Sequence, residues 1–257
     1  VSRVVNGQDV GLIWTRMCID SWRRAGYTVI SVNSEREAGR VREMYLDVTV
    51  LEVERDGQEI TGRPQVYLSD MLSIAVKGVE PYFAIANADV MFLADAAMAI
   101  TGWVPKNGFV YSNRLDISDL NGANPQLHGG VDFVIVCANE LAEIDFPDFL
   151  FGTPWWDYWL PLVLNCKGIK GHRLTHNGLP VIAHLFHQDQ WSHAQFLNNY
   201  SLFTSALAQV VSDRAKWPAE VGAVDMSTGL PGQMLKVCLE YAKASSGMIH
   251  QENPVID

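Results

Sequence analysis

Two polar side chains interrupt an otherwise apolar stretch of the chain. Residues 82–92 read YFAIANADVMF, with Asn87 and Asp89 two positions apart. Burying such groups without partners costs roughly 2–7 kcal/mol, so they require a partner or a ligand. Alternate residues of a strand face the same side, and a carboxylate there can hold Mg²⁺ or Mn²⁺ against a diphosphate. The pattern predicts a metal-bound phosphate, while a turn cap at a strand end is the alternative interpretation.

Three imidazoles follow a predicted strand at 181–186. His184, His187 and His193 lie within ten residues of one another. Imidazole is a good ligand for Mn²⁺ or Zn²⁺, so one of these side chains can complete a coordination shell begun by Asp89. The spacing matches neither HExxH nor a structural zinc site. Surface histidines, or core histidines with hydrogen-bond partners, are the alternative.

One carboxylate stands among large aromatic side chains. The segment 151–160, FGTPWWDYWL, places Asp157 between Trp155, Trp156 and Trp159. Aromatic faces stack on sugar rings, and apolar surroundings raise the pKa of a carboxyl towards that of a useful general base. The segment therefore predicts a carbohydrate acceptor site. The N-terminus of a core helix, stabilised by Asp157, is a second interpretation that does not exclude the first.

Two glycines precede another acidic residue at the start of a predicted strand. Gly129 and Gly130 permit a close approach of the backbone to a ligand near Asp132, and a turn leading into a strand explains them equally well. The sequence contains no GxxxxGK phosphate loop, no GxGxxG and no GxSxG nucleophile motif. These absences argue against a kinase, a dinucleotide-dependent oxidoreductase and a serine hydrolase.

Helix and strand patterns alternate along the first third of the chain. In order, the predictions are a helix at 15–25, a strand at 27–33, a helix at 34–45, a strand at 48–53, a helix at 71–77 and a strand at 82–86. This alternation is typical of a mainly parallel sheet with helices on its faces, whose ligands bind at the carboxyl ends of the strands.

The rest of the chain mixes strand, loop and helix patterns. Strands are expected at 109–112, 131–137 and 181–186. The turn-rich connection at 113–130 predicts a binding loop or lid. The C-terminal predictions are a helix at 194–211, an irregular segment at 217–231 and a helix at 232–244.

Composition limits the class of protein. The 257 residues are 48% hydrophobic and carry a formal net charge of −10, which disfavours nonspecific binding to nucleic acid or to anionic membranes. No apolar run reaches the roughly 18–20 residues of a membrane span, and the four cysteines are expected to be reduced and buried. We expect a cytoplasmic protein, either free or at the inner face of the membrane. We expect it to be either a homo-oligomer or part of a longer chain.

Several blocks of the sequence resemble the nucleotide-binding half of GT-A-fold glycosyltransferases. They resemble most a poorly characterised bacterial group whose strand ends in Ile-x-Asn-(Ser/Ala)-Asp. Residues 128–133, 151–160 and 187–193 are similar to the later blocks of that group, and the resemblance covers roughly residues 15–195. The blocks of the first half are 19–22, 29–34, 62–64, 68–72 and 85–89.

The resemblance implies an α/β fold of the GT-A-like, Rossmann-like kind, with a mixed, mainly parallel sheet flanked by helices. It implies a catalytic domain at 1–195, divided into a nucleotide-binding half at 1–93 and an acceptor half at 94–195. Residues 196–257 are then a helical C-terminal extension packed on that domain.

The resemblance also implies an activity, the transfer of a sugar from a nucleotide-diphosphosugar donor to the hydroxyl of a glycan or another precursor, with Mn²⁺ or Mg²⁺ as cofactor. Asp89 then binds the metal, and His187 is a late ligand of the metal or the diphosphate. Asp157 occupies the position of the catalytic base of inverting members. Asn87 replaces the first acidic residue of the usual motif.

The remaining site residues implied by the resemblance bind the substrates. Asn33 is expected near the nucleoside and Asp132 near the donor sugar or the acceptor. From the aromatic pattern at 151–160, Trp155, Trp156 or Trp159 is expected to form part of the sugar platform. Asp70 and Asn87 lie in matching blocks and are assigned to donor binding.

Two other functions fit parts of the sequence. One is a noncatalytic module of a larger protein that binds a sugar or a nucleotide. The other is a metal-dependent hydrolase built on His184, His187 and His193.

Overall fold

The structure, a computed structural model, describes residues 4–5, 8–93, 108–142, 144–176, 178–187 and 191–213. Its strands are β1 (Val4–Val5), β2 (Gln8–Asp9), β3 (Ile30–Ser34), β4 (Thr49–Val53), β5 (Tyr82–Ala86), β6 (Val90–Phe92), β7 (Gly108–Ile117), β8 (Gln126–Cys137), β9 (Lys170–Arg173), β10 (Thr175–His176), β11 (Leu179–Pro180) and β12 (Ile182–Leu185). Its helices are α1 (Val10–Arg24), α2 (Glu35–Met44), α3 (Gln58–Thr61), α4 (Leu68–Lys77), α5 (Ala138–Leu141), α6 (Trp156–Cys166) and α7 (His193–Asp213).

A six-stranded sheet with β7 at its centre organises the described residues. Its strand order is β5-β8-β7-β12-β6, and β9 also pairs with β7. One edge of β7 pairs with β8, while the other edge is shared between β9, along 108–111, and β12, along 114–117. The strands β5 and β6 end this order but are joined by only three residues, 87–89. The sheet therefore curls back on itself and comes close to a closed barrel.

The expected mainly parallel, helix-flanked sheet of the GT-A-like, Rossmann-like kind is wrong. Three of the five pairings that the structure describes in the six-stranded sheet are antiparallel, namely β5 with β8, β7 with β8, and β6 with β12. Strands β3 and β4 are parallel, but they form a separate two-stranded sheet. The alternation of helices and strands is thus real at 10–53, although it does not build the central sheet.

The expected loop at 113–130 is also wrong over most of its length, because β7 and β8 extend into it and leave only residues 118–125 between them. A connection this short joins neighbouring strands in antiparallel order. The Asp119 carboxylate accepts hydrogen bonds from the backbone N–H groups of Asn121 and Ala123, at 2.8 and 3.1 Å, and so fixes the turn.

The helices broadly follow their sequence patterns. Ser34 is the N-cap of α2 and accepts a hydrogen bond from the backbone N–H of Arg36. Helix α4 begins at Leu68, so Ser69 and Asp70 lie in its first turn and not before it. Helix α7 covers the predicted helix at 194–211, whereas the predictions for 217–231 and 232–244 lie outside the described residues. Among the described helices, none has both the length and the apolar character required to cross a membrane.

The largest core cluster lies where α4, α6 and α7 meet the sheet, and it is rich in aromatic rings. The rings of Phe196, Tyr200 and Phe203, on α7, lie 5.1–5.4 Å from the ring of Trp155 at the start of α6. The buried aromatic members are Phe109, Tyr111, Phe149, Trp155, Trp156, Trp159 and Phe203. The core therefore fixes the N-terminus of α6.

Candidate metal centre

Three side chains from two parts of the chain meet at one edge of the sheet. Asp89 lies in the turn between β5 and β6, His184 lies on β12, and His187 follows two residues after the end of β12. Antiparallel pairing of β12 with β6 sets His184 opposite Val90, next to Asp89 in the chain. One ligand atom from each of the three side chains lies within 4.8 Å of the others.

The distances within this trio are short. The Nε2 atom of His187 lies 3.1 Å from Asp89 Oδ2 and 3.2 Å from His184 Nε2, and His184 Nε2 lies 3.4 Å from the same carboxylate oxygen. The side chains of Asp89 and His187 are partly exposed, whereas that of His184 is buried. A carboxylate and two imidazoles that converge in this way are suited to bind a divalent transition-metal ion.

Two tryptophans hold the turn that carries Asp89. The indole N–H of Trp14 donates to the carbonyl of Asp89 at 2.7 Å, and that of Trp22 donates to the carbonyl of Val90 at 2.9 Å. Both tryptophans belong to α1. Helix α1 therefore fixes the position of the backbone from which the Asp89 carboxylate extends.

A chain of polar groups that are largely shielded from solvent supports the trio from behind. The Asp116 carboxylate lies 2.9 Å from Nδ1 of His184 and accepts a hydrogen bond from Nε of Arg114 at 2.8 Å. The Nη1 group of Arg114 donates to Asp132 at 2.9 Å, and the Asn87 amide donates to the other oxygen of Asp132 at 2.7 Å. A carboxylate on the far nitrogen of a histidine fixes its tautomer and leaves Nε2 free to bind a metal.

The charges in this network are unequal. Three carboxylates, those of Asp89, Asp116 and Asp132, accompany one guanidinium, that of Arg114. With neutral imidazoles these groups leave an excess of two negative charges, which a divalent cation would balance.

The pKa values reflect the same excess of negative charge. Burial opposes ionisation of Asp89, but its contacts with His184 and His187 outweigh burial and hold the pKa of the carboxyl well below its usual range. Burial likewise opposes a charge on His184, yet the contacts with Asp116 and Asp89 raise the pKa of its imidazole to about 9. The metal-free centre thus favours a positive charge at the position of His184.

Asp157 lies in the first turn of α6 and differs from the other acids. Burial, followed by the negative charge of Asp132, raises the pKa of its carboxyl to about 7 from a usual value of 3.8. Its Oδ1 atom accepts a hydrogen bond from the backbone N–H of Trp155 at 3.1 Å. Trp155 has φ of 91°, a left-handed conformation that is strained for a residue with a side chain. The carboxyl is therefore held in one place and can exchange a proton near neutral pH.

The expected sugar platform has no open ring face at Trp156. Its side chain is 1% exposed, and its ring packs against Phe151 with 4.6 Å between centroids. Trp155 and Trp159 are also buried. These tryptophans form core around Asp157, which explains the raised pKa of that carboxyl.

Two of the expected site residues lie elsewhere. The Asn33 amide, on β3, donates to Ser31 Oγ at 2.9 Å. Asp70, on α4, accepts a hydrogen bond from Arg55 at 2.8 Å. Within the described part of the chain, no hydrogen bond or ion pair given for Asn33 or Asp70 reaches Asp89, His184 or His187. The structure thus connects Asn87 and Asp132 to the candidate centre and leaves Asn33 and Asp70 apart from it.

Sequence reasoning missed Arg114, Asp116 and His128. His128 is partly buried and accepts a hydrogen bond from the Gly130 N–H at 3.0 Å, and its removal from solvent together with the charge of Arg114 lowers its pKa. The signal for the first two was the spacing Arg114-x-Asp116, which puts both side chains on one face of a strand. It was hidden because the segment was interpreted as a loop.

No protein-family model and no curated protein matches the chain. Among solved structures, it is similar to the crystal structure of HddC from Yersinia pseudotuberculosis, with a TM-score of 0.38 and 11% sequence identity. The similarity covers 80% of this chain and 88% of that chain. A likeness at this level supports no conclusion about function, so the interpretation rests on the geometry of the site.

Proposed function

We propose that the protein is a metal-dependent glycosyltransferase, which moves a sugar from a nucleotide-diphosphosugar donor to a hydroxyl acceptor. The observation that supports this proposal is a trio of potential metal ligands, linked by hydrogen bonds through Asp116 and Arg114 to Asp132, whose charge acts on a carboxyl with a pKa of about 7. Such a transfer requires a cationic group that offsets the charge of a leaving diphosphate and a separate base for the acceptor hydroxyl. In this proposal the trio would hold the cation and Asp157 would be the base.

Asp89, His184 and His187 are the residues that would hold the cation. When bound, Mn²⁺ or Mg²⁺ would neutralise charge on the diphosphate of the donor. Two imidazoles in the trio favour Mn²⁺, because Mg²⁺ prefers oxygen ligands. Asn87 stands where the first acidic residue of the usual motif would be, and its amide holds Asp132 instead.

Asp157 is the proposed general base. A carboxyl with a pKa near the working pH is ionised often enough to accept a proton and basic enough to remove one from a hydroxyl group. The Trp155 N–H donates to Oδ1 and thereby fixes the orientation of the carboxyl group. In this proposal, the buried tryptophans tune the base and do not themselves stack on the sugar.

The test combines binding with turnover. Nucleotide sugars are screened by thermal shift with and without Mn²⁺, because a ligand that binds the folded state raises its apparent stability. We expect at least one donor to stabilise the protein only when Mn²⁺ is present. The Asp157→Asn variant should keep that donor binding and lose transfer, and retained turnover would rule out Asp157 as the base.

A second candidate function is a metal-dependent hydrolase. The observation in its favour is the pair of imidazoles with one carboxylate, supported by Asp116 on His184, which also suits catalytic zinc. Zinc that survives dialysis, with hydrolytic activity and no response to any nucleotide sugar, would favour this candidate. Donor binding without turnover on any acceptor would indicate a noncatalytic module.

A further inference from the structure

We infer that Arg114 is a positioning residue for the metal centre, because it holds the Asp116 carboxylate that contacts His184, so that its loss weakens metal binding. The inference rests on the proposed metal site. The Arg114 guanidinium donates to Asp116 and to Asp132, which are not themselves candidate ligands. It acts through the two carboxylates that it bridges.

The bridge is largely shielded from solvent and its geometry is well defined. The Arg114 side chain is 18% exposed, and those of Asp116 and Asp132 are 12% and 5% exposed. Its Nε and Nη1 groups bind the two carboxylates at 2.8 and 2.9 Å. Two buried carboxylates this close to one cation repel each other strongly when the cation is removed. A lysine offers a point charge without the planar fork of a guanidinium. It would therefore keep the positive charge but would not fix the positions of both carboxylates.

Each end of the bridge leads to a different part of the site. Asp116 binds the imidazole of His184 and thereby sets the direction of its metal-binding nitrogen. Asp132 binds the Asn87 amide and acts through its charge on Asp157. One guanidinium therefore controls both carboxylates.

A bulge in β8 makes this bridge possible. Ser112 of β7 pairs with Phe133, but Arg114 pairs with His128, so residues 129–132 are accommodated opposite the single residue 113. The Asn113 amide closes the bulge by donating to the Gly129 carbonyl at 2.8 Å. Bulges redirect side chains at functional sites. Here the irregularity brings the Asp132 carboxylate to Arg114.

Two effects follow from removing the guanidinium. Without it, Asp116 loses the donor that fixes it beneath His184, and outer partners of this kind are worth about 10-fold to 100-fold in metal affinity. The charged groups that act on Asp157 are Asp132, from β8, and Arg114, from β7. The positive charge of Arg114 favours the ionised carboxyl, so its loss raises the pH at which Asp157 ionises.

The experiment measures Mn²⁺ binding by titration calorimetry for wild type, Arg114→Met and Arg55→Met. Arg55 is a matched control, because its guanidinium also bridges two carboxylates, those of Asp70 and Asp148, each at 2.8 Å. We expect Arg114→Met to bind Mn²⁺ about 10-fold or more weakly and Arg55→Met to match wild type. Equal Mn²⁺ affinity in wild type and Arg114→Met would overturn the role of Arg114 and leave the metal site standing. If wild type binds no Mn²⁺, both the metal site and the role of Arg114 are overturned.

A second arm separates positioning from simple structural support. The ionisation of Asp157 is followed by carboxyl ¹³C NMR, with its resonance assigned from Asp157→Asn. In Arg114→Met the midpoint should move to higher pH, while Arg114→Lys should retain the wild-type midpoint and still bind Mn²⁺ more weakly. If Arg114→Met does not fold, the double variant Arg114→Met/Asp132→Asn is used in the calorimetry in its place. The double variant removes one positive and one negative charge, so the net charge of the site is unchanged. Wild-type affinity in Arg114→Lys and in the double variant would contradict the inference.

Discussion

Replacing Asp157 with asparagine should remove a pH dependence of stability that the wild-type protein carries. The pKa of this carboxyl is raised to about 7 in the folded protein, against 3.8 as its usual value. Below the lower value the group is neutral in both the folded and the unfolded chain. As the pH rises, the unfolded chain ionises first, so the folded state loses stability until the pH passes about 7.

The size of the effect follows from the shift. A difference of about 3 pKa units corresponds to about 4 kcal/mol, of which roughly 1.5 kcal/mol is already lost at about pH 5. Between about pH 5 and about pH 8 the remaining loss is therefore at most about 2.5 kcal/mol. Because Asp157 is only half-buried by accessible surface, solvent reduces this value, and we expect about 1–2.5 kcal/mol.

Urea denaturation of wild type and Asp157→Asn at about pH 5 and about pH 8 measures this quantity as a change in the difference of their unfolding free energies. Asparagine keeps an oxygen for the Trp155 N–H, so the comparison isolates the charge. Asp148→Asn is the control, since Arg55 lowers the pKa of Asp148 and places its titration below this pH window. If the difference for Asp157→Asn stays constant to within about 0.5 kcal/mol, the proposed environment of Asp157 is wrong.

Three further predictions concern other parts of the molecule. Asp89→Ala should weaken donor binding in the presence of Mn²⁺ by about 10-fold or more, and an unchanged donor affinity would contradict its role. Asn199→Leu should lower the free energy of unfolding by about 2–4 kcal/mol in urea denaturation, because the Asn199 amide pairs with both the N–H and the carbonyl of Leu150 at 3.0 Å. The exposed control Ser201→Ala should change the free energy of unfolding little. Equal effects of the two substitutions would refute the role of Asn199. Trp156→Ala should cost about 3–5 kcal/mol by the same assay, and a loss below about 1 kcal/mol would argue against its place in the core.

Local elements of this fold follow from the sequence, but the pairing of its strands does not. The apolar run at 82–86 predicts a strand with the bounds that β5 has, and the pattern around Ser34 predicts the start of α2. Nothing local indicates that β5 pairs with β8, whose partner residues are about 50 positions away. A helix between two strands suggested a parallel crossover, whereas the short connection between β7 and β8 decides the direction of the central pair.

The candidate site, too, was predicted from the sequence only in part. Asp89 and His187 were grouped by residue type, and the structure brings them to 3.1 Å although 98 positions separate them. Arg114 and Asp116 escaped attention because glycines and asparagines in 121–130 suggested a loop. The tryptophans near Asp157 suggested an open platform, but residue type alone does not distinguish a ring in the core from a ring that faces a ligand.

Binding of Mn²⁺ alone tests the central claim most directly, since the proposed sugar transfer depends on a cation at Asp89, His184 and His187. Free Mn²⁺ is counted by its paramagnetic resonance signal while protein is added, for wild type and for the variants Asp89→Asn, His184→Gln and His187→Gln. We predict one bound ion per chain in wild type and a loss of affinity of about 100-fold in each variant. Wild type that leaves the free signal unchanged, or variants that bind as wild type does, would contradict the account.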